Sequence, residues 1–256
     1  GLNGSVIANP DLSAELQFNM GALQAEQTAT QMGFSIAGID LKSSSQQMND
    51  LLAPSMALLV IPAISSGSPY PFSVSNISID SRVQPSPAGS EQIDIHQSFR
   101  VASIQSELPV ASANWTMNIN EVRSDLIRSY YGMIAEIQNA INTNSTGSSN
   151  PIEEYAGEMA TIAVQNSLVF NNLVEANAFE GDHSIDLNID WRGMPGVTDL
   201  DSIEAMQILE VFSFALTVSL DEAAIMRSPL AEMVDPYVQQ GYLRIDGGRI
   251  LMDASL

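Results

Sequence analysis

The sequence predicts an α+β fold, in which an extended, curved antiparallel sheet carries helices packed on one face. Three observations predict it. Many segments alternate apolar with polar residues, two long amphipathic segments follow one another in mid-chain, and the clearest alternating segments each leave one polar face. Period-two alternation is typical of a strand with one buried and one solvated face. Such strands belong to antiparallel sheets, since strands of parallel sheets are buried on both faces.

The first 121 residues are predicted to be mostly strand. DLSAELQFNM and GFSIAGIDLK alternate near the start, and PFSVSNISIDSR, EQIDIHQSFRV and NWTMNIN alternate after residue 70. Residues 47–64 have helical spacing instead, through Met48, Leu51, Leu52, Met56, Leu59 and Val60. Pro54 and Pro62 interrupt that spacing, so it predicts a short or broken helix. A loop is expected from Ser65 to Pro71.

Two long helices are predicted next. Val122, Leu126, Tyr130, Met133, Ile134, Ile137 and Ile141 recur at intervals of three and four, as do Ile152, Tyr155, Met159, Ile162, Val169 and Leu173. The sequence NTNSTGSSNP (142–151) separates them and predicts a flexible link, with Asn150-Pro151 as the cap and first turn of the second helix. The two helices should form an antiparallel hairpin whose apolar stripes cover the sheet.

The last third alternates strands with short helices. HSIDLNIDW and FALTVSL are predicted strands, with a helix at about 199–211 between them. Ser219 and Glu222 form a capping-box pattern for a short helix. Ser228-Pro229 opens another, which ends at Gly241. A final hairpin turns at Gly247-Gly248.

We therefore predict a single region spanning residues 1–256. Its sub-parts are residues 1–121, mostly strands, and residues 122–256, a helical hairpin followed by strand–helix units.

Charge and cysteine content exclude several functions. Nine basic residues against thirty acidic ones give a net charge of −21, and Lys42 is the single lysine. We expect no nucleic-acid partner, because phosphate binding needs clustered basic residues. Electrostatic docking on anionic lipid is excluded for the same reason. The absence of cysteine excludes disulfides, thiolate metal sites and cysteine nucleophiles.

No membrane-spanning segment is visible in the sequence. The longest apolar stretch, MALLVIPAI at residues 56–64, is too short to cross a bilayer. The chain begins GLNGS without a methionine, so we expect further sequence before residue 1.

The acidic segment around residues 182–190 suggests calcium, but its spacing does not fit. DLNIDWRG begins like a calcium loop at Asp186, yet the sixth and twelfth positions are Trp191 and Val197 instead of Gly and Glu. The solvated face of a strand explains the acidic residues better.

Catalytic motifs are also absent. The two histidines, His96 and His183, are too few for a three-histidine zinc site, and no nucleophile elbow, dinucleotide fingerprint or phosphate-binding lysine loop occurs. We assign no catalytic, cofactor-binding or metal-ligating residue, and expect no cofactor. The sequons at Asn76, Asn114 and Asn144 are interpreted as chance matches.

The C-terminal third combines FALTVSL, the helix-forming DEAAIMRSPLAEMV, and VQQGYLRIDGGRILMDASL, with a QGYL segment at 240–243 and a hairpin turn at 246–248. This combination resembles the YdgA-like family of bacterial envelope proteins, in which a QGYL segment leads into a hairpin. NWTMNINEVRSDLIRSYYGMI is similar to the middle region of the family. The family's second hairpin strand continues to a closing motif, so we expect sequence beyond residue 256.

The resemblance implies a periplasmic protein, anchored to the inner membrane by one segment that would lie before residue 1. It supplies no activity and no catalytic residues.

These observations predict a non-catalytic binding or scaffolding protein of the cell envelope. Its partner is expected to be a lipid-like hydrophobic ligand or an envelope protein, because one-sided strands and twelve methionines can supply an adaptable apolar surface. Two alternatives remain open. One is a hydrolase that uses carboxylates with His96 or His183, and the other is a structural homo-oligomer that pairs exposed sheet edges.

Overall fold

The computed structural model describes residues 1–27, 32–47, 50, 52–67, 71–89, 91–107, 109–143 and 151–256. The strands are β1 (Leu2–Ala8), β2 (Ala14–Met20), β3 (Leu23–Gln27), β4 (Met32–Ile36), β5 (Ile39–Ser45), β6 (Ser55–Ser66), β7 (Phe72–Pro85), β8 (Gln92–Gln105), β9 (Val110–Arg123), β10 (Leu168–Ala178), β11 (Gly181–Trp191), β12 (Phe212–Asp221), β13 (Arg244–Asp246) and β14 (Arg249–Ser255). The helices are α1 (Ser124–Thr143), α2 (Pro151–Gln165), α3 (Ala205–Val211), α4 (Glu222–Met226) and α5 (Ala231–Gln239), with a 3₁₀ turn at Leu200–Ser202.

The described strands form one antiparallel sheet in the order β1-β2-β5-β6-β7-β8-β9-β10-β11-β12-β14-β13. Most neighbours in the sheet are also neighbours in sequence, as expected of a meander. The β3–β4 hairpin is inserted between β2 and β5, and β4 also pairs with β6. The predicted α+β class and curved antiparallel sheet are confirmed at this level.

The helix predicted for residues 47–64 is wrong. Residues 55–66 form β6, which pairs with β5 on one side and β7 on the other. Pro62 is tolerated there because it falls opposite Asn76, a residue with φ of 52° that interrupts the regular ladder. The apolar residues of this segment occupy both faces of a central strand, which helical spacing cannot distinguish from a buried helix. Met48 and Leu51 lie outside the described residues.

The second long helix is shorter than predicted. α2 ends at Gln165, and Val169 and Leu173 belong to β10, which pairs with β9 and β11. Asn144 and Asn150, and with them most of the predicted link, lie outside the described residues.

The remaining helix predictions are confirmed in part. Residues 199–211 split into the 3₁₀ turn and α3. The capping box is wrong, because Asp221 accepts the hydrogen bond from the Ala224 amide while the Ser219 hydroxyl accepts from Arg249. The final helix does stop before Gly241, whose φ of 79° suits a helix terminus.

The protein exposes far more surface than a compact domain of its size. Its accessible surface is 16021 Å². A compact 27.5 kDa monomer would expose about 11,000 Å². The buried apolar side chains of the described residues are few: Ala53, Ile77, Ile93, Val101, Val122, Ala224, Ile225, Val234 and Ile250. Much of the sheet is therefore a single layer with solvent on both faces.

Most of the buried apolar side chains fall in two small regions. At the C-terminal end, Ile225, Val234 and Ile250 form a cluster between α4, α5 and β14. At the opposite end of the strands, Ile93 and Val122 are buried just before α1 begins.

Arg123 anchors the start of α1. Its guanidinium binds Asp125 through Nη2 at 2.6 Å and Glu91 through Nη1 at 2.8 Å. The hydrogen bond from Arg123 holds the pKa of Asp125 below its usual value, against the smaller opposing effect of partial burial. One turn later Arg128 lies 3.8 Å from Asp50, which precedes β6. These contacts link the beginning of α1 to the segments that precede β6 and β8.

Candidate functional site

The strand register aligns ten apolar side chains in one line across the sheet. Directly opposed residues of an antiparallel pair point to the same face, so the line can be followed from strand to strand. It runs from β2 to β14 through Phe18, Leu41, Leu59, Ile79, Phe99, Trp115, Val174, Ile185, Val218 and Met252. We call this line the apolar row. With strands about 4.8 Å apart, it is about 43 Å long.

The apolar row is open to solvent. None of its ten side chains is buried, and Ile79, Val174 and Ile185 in the middle of the sheet are 42%, 36% and 41% exposed. A second layer packed over these strands would reduce such values to a few per cent. The centre of this face is thus an accessible apolar surface.

The neighbouring positions on the same face carry no formal charge. Two residues away along β8, β10 and β11, the side chains are Gln97, Asn172 and Leu187 on one side of the row and Val101, Ala176 and His183 on the other. The chain has thirty acidic residues. Their exclusion from this band keeps the surface free of charge.

The one polar group in the row is already satisfied. The indole Nε1 of Trp115 donates a hydrogen bond to Asn172 Oδ1 at 2.6 Å. The ring of Trp115 can therefore contact an apolar molecule without leaving an unpaired donor.

The opposite face is polar and explains the acidic segment of β11. Asn188 accepts a hydrogen bond from Asn171 and donates one to Asp186, and Asn177 donates to Asp182. These amides hold the carboxylates within the sheet surface. The described residues contain no group of three or more His, Asp or Glu placed to hold a metal ion.

A shallow groove of about 590 Å³ crosses β8, β9, β10 and β11. Its charged residues are Arg100, Glu175, Asp182 and Arg249. Glu175 accepts from Asn114, and Arg249 donates to Ser219 and to the carbonyl of Asp182. Most of these groups are thus engaged in bonds that tie neighbouring strands together.

Both histidines have structural partners. His96 Nδ1 lies 2.7 Å from Asn118 Oδ1, and its Nε2 is 3.9 Å from Asp80, beyond hydrogen-bonding distance. Across the strand pair, its charged neighbours are Asp80 and Arg82.

The imidazole of His183 bridges two backbone groups. Its Nε2 lies 2.9 Å from the carbonyl of Ala178, and its Nδ1 accepts from the amide of Asp221. Among the described residues, neither imidazole hydrogen-bonds a carboxylate, so the hydrolase hypothesis gains no support from this geometry.

Comparison of the chain with protein-family models, with curated proteins and with solved structures found no match. Within the described residues, no helix is both long enough and apolar enough to cross a membrane.

Sequence reasoning identified most strands that contribute to the apolar row but did not identify the row itself. Alternation shows which residues of a strand share a face, but the alignment of one strand with the next depends on register. The signal that could have found the row is the set of uncharged alternate positions in each strand segment, which share one face of the strand.

Proposed function

We propose that this protein binds the hydrocarbon part of a lipid-like ligand on the apolar row and has no catalytic role. The observation that carries the proposal is the continuous, solvent-accessible apolar line from Phe18 to Met252. An acyl chain lying along it would remove apolar surface from water on both partners, at about 25 cal/mol for each Å².

The chemistry of the surface favours an acyl chain over a peptide. The strands that carry the middle of the row are paired on both sides, so a peptide has no free backbone edge to join there. A peptide lying across the row would bury its own amides against side chains such as Ile79, Phe99 and Ile185, which cannot hydrogen-bond. A hydrocarbon chain has no such groups to satisfy.

We further propose that the protein is a YdgA-like envelope protein located in the periplasm, and that its helices pack against one face of the sheet. The positive φ of Gly241 and of Gly247 agrees with the helix end and the hairpin turn expected at the QGYL and DGG segments. The contact between Arg128 and Asp50 supports placing α1 over the strands that end beside it.

The test uses cis-parinaric acid, a fluorescent fatty acid, titrated into the purified chain. Ile79→Asp and Ile185→Asp each place a carboxylate in the apolar row, where an acyl chain would have to desolvate it. We expect each variant to weaken binding at least tenfold.

The matched controls are Ser78→Asp and Ser184→Asp. Each adds the same charge at the adjacent position of the same strand, on the polar face, and should bind as the original chain does. Circular dichroism establishes that all four variants are folded. Equal binding by row and control variants, or no binding by the original chain together with no lipid in native mass spectra, would refute the proposal.

A further inference from the structure

Among the described strands, β1 lies at one edge of the sheet. It pairs with β2 on one side, and all seven of its residues are exposed. Leu2 and Val6, which continue the apolar face, are 71% and 69% exposed. An edge strand with unpaired amide and carbonyl groups is a template for a further strand.

The features that normally protect an edge are missing from β1. Residues 2–8 contain no charged residue, no proline and no bulge. The opposite edge, β13, has three residues, of which Arg244 and Asp246 are charged, and it runs into Gly247-Gly248. The chain has a net charge of −21, so two copies repel one another over most of their surfaces. Because β1 is uncharged, two copies can pair through it without placing carboxylates next to each other.

The free backbone groups of β1 can be assigned from its bonds to β2. The Gly21 amide donates to the Gly1 carbonyl at one end of the pair, and the Asn9 amide donates to the Ser13 carbonyl at the other. Odd-numbered residues therefore direct their backbone groups toward β2. Because successive residues of a strand alternate, the groups of Leu2, Gly4, Val6 and Ala8 point outward.

We propose that two copies of this chain pair antiparallel through β1, about a two-fold axis at Ser5. This register sets Leu2 against Ala8 and Gly4 against Val6, so every outward-facing residue meets another and each pair can exchange two hydrogen bonds. Ser5 then faces Ser5 of the second copy in a non-hydrogen-bonded pair, with Cα atoms about 4.5 Å apart.

The side chains also fit this register. The axis is perpendicular to the sheet, so the apolar faces of both copies lie on the same side. Each Val6 lies beside a glycine and each Leu2 beside an alanine, which leaves room for the larger side chain of each pair. The pairing joins two apolar faces into one, but it stands independently of any lipid binding.

Single-cysteine crosslinking tests the register directly, because the chain has no cysteine of its own. Under mild oxidation, Ser5→Cys should form a disulfide-linked dimer, since its separation from the same residue of the second copy suits a disulfide. Asn3→Cys lies opposite Ile7 and should stay monomeric, whereas the double variant Asn3→Cys, Ile7→Cys should crosslink.

A backbone variant supplies a second measurement. Val6→Pro removes an amide hydrogen that points away from β2, so the fold should survive while light scattering shows loss of the dimer. Crosslinking of Asn3→Cys as readily as Ser5→Cys would overturn the register. A monomer at the highest soluble concentration, with no trapped Ser5→Cys dimer, would overturn the pairing itself.

Discussion

Gly181 of β11 and Ala224 of α4 lie against each other. A Cβ at residue 181 would overlap the methyl group of Ala224 and would lie 2.6 Å from the Cβ of Asp221. Ala224 is fully buried, and Asp221 caps α4. The absence of a side chain at residue 181 is therefore what allows α4 to lie against the sheet.

Gly181→Ala should destabilise the protein by about 1–3 kcal/mol, because the added methyl group overpacks this contact. The free energy of unfolding in urea measures the effect. Gly157→Ala is the matched control, since a Cβ there has no neighbour within 4 Å and the residue lies inside α2. The control should raise stability slightly, as alanine does in a helix. Equal effects of the two substitutions would contradict the proposed packing.

Two isoleucines should differ sharply in their contribution to stability. Ile250 is 0% exposed, so Ile250→Ala should cost about 2–5 kcal/mol through lost burial and the cavity left behind. Ile79 is 42% exposed, so Ile79→Ala should lower the free energy of unfolding by less than about 1.5 kcal/mol. Urea unfolding of both variants gives the comparison. A large loss at Ile79 would show that the centre of the apolar face is covered.

The contact between Arg123 and Asp125 should stabilise the protein at neutral pH and fail in acid. Because the folded-state pKa of Asp125 is lowered, first by the hydrogen bond from Arg123, the stabilisation is present above the carboxyl's unfolded pKa. It is lost as the pH falls through the lowered value. The side chains are 29% and 43% exposed, so the contribution is at most about 1 kcal/mol.

The measurement is the difference in unfolding free energy between the original chain and Asp125→Asn. It should be constant from about pH 7 to pH 5 and shrink below about pH 4. Glu136→Gln, on the exposed side of the same helix, reports the general effect of removing one negative charge. A difference that grows in acid would contradict the sign of the pKa change.

Tryptophan emission should report binding at the apolar row. The chain has two tryptophans. Trp191→Phe leaves Trp115, which lies in the row, and palmitate should shift its emission to shorter wavelength as water is displaced from the ring. Trp115→Phe leaves Trp191, whose indole is bonded to the carbonyl of Ala163 near the end of α2. Its emission should not change with palmitate. A shift confined to Trp191 would place the ligand elsewhere.

Local sequence patterns predicted much of the secondary structure. Alternation in HSIDLNIDW and NWTMNIN predicted β11 and part of β9, because side-chain direction alternates along a strand whatever its neighbours are. The same reasoning failed at residues 47–64, where both faces of a central strand are apolar and the alternation disappears. It failed again at Leu173, which continues the helical spacing of the apolar residues in α2. Leu173 lies in β10 instead, because strand pairing with β9 and β11 outweighs that local spacing.

The sequence by itself determined the acidic charge, the absence of cysteine chemistry and the antiparallel character of the sheet. These depend on composition and on contacts close along the chain. Only the tertiary structure decided that Phe99 pairs with Trp115 and Val174 with Ile185 across neighbouring strands. It also decided that α4 packs against Gly181. Each of these depends on how segments far apart in sequence are aligned, and a shift of one residue would turn every side chain of a strand to the other face.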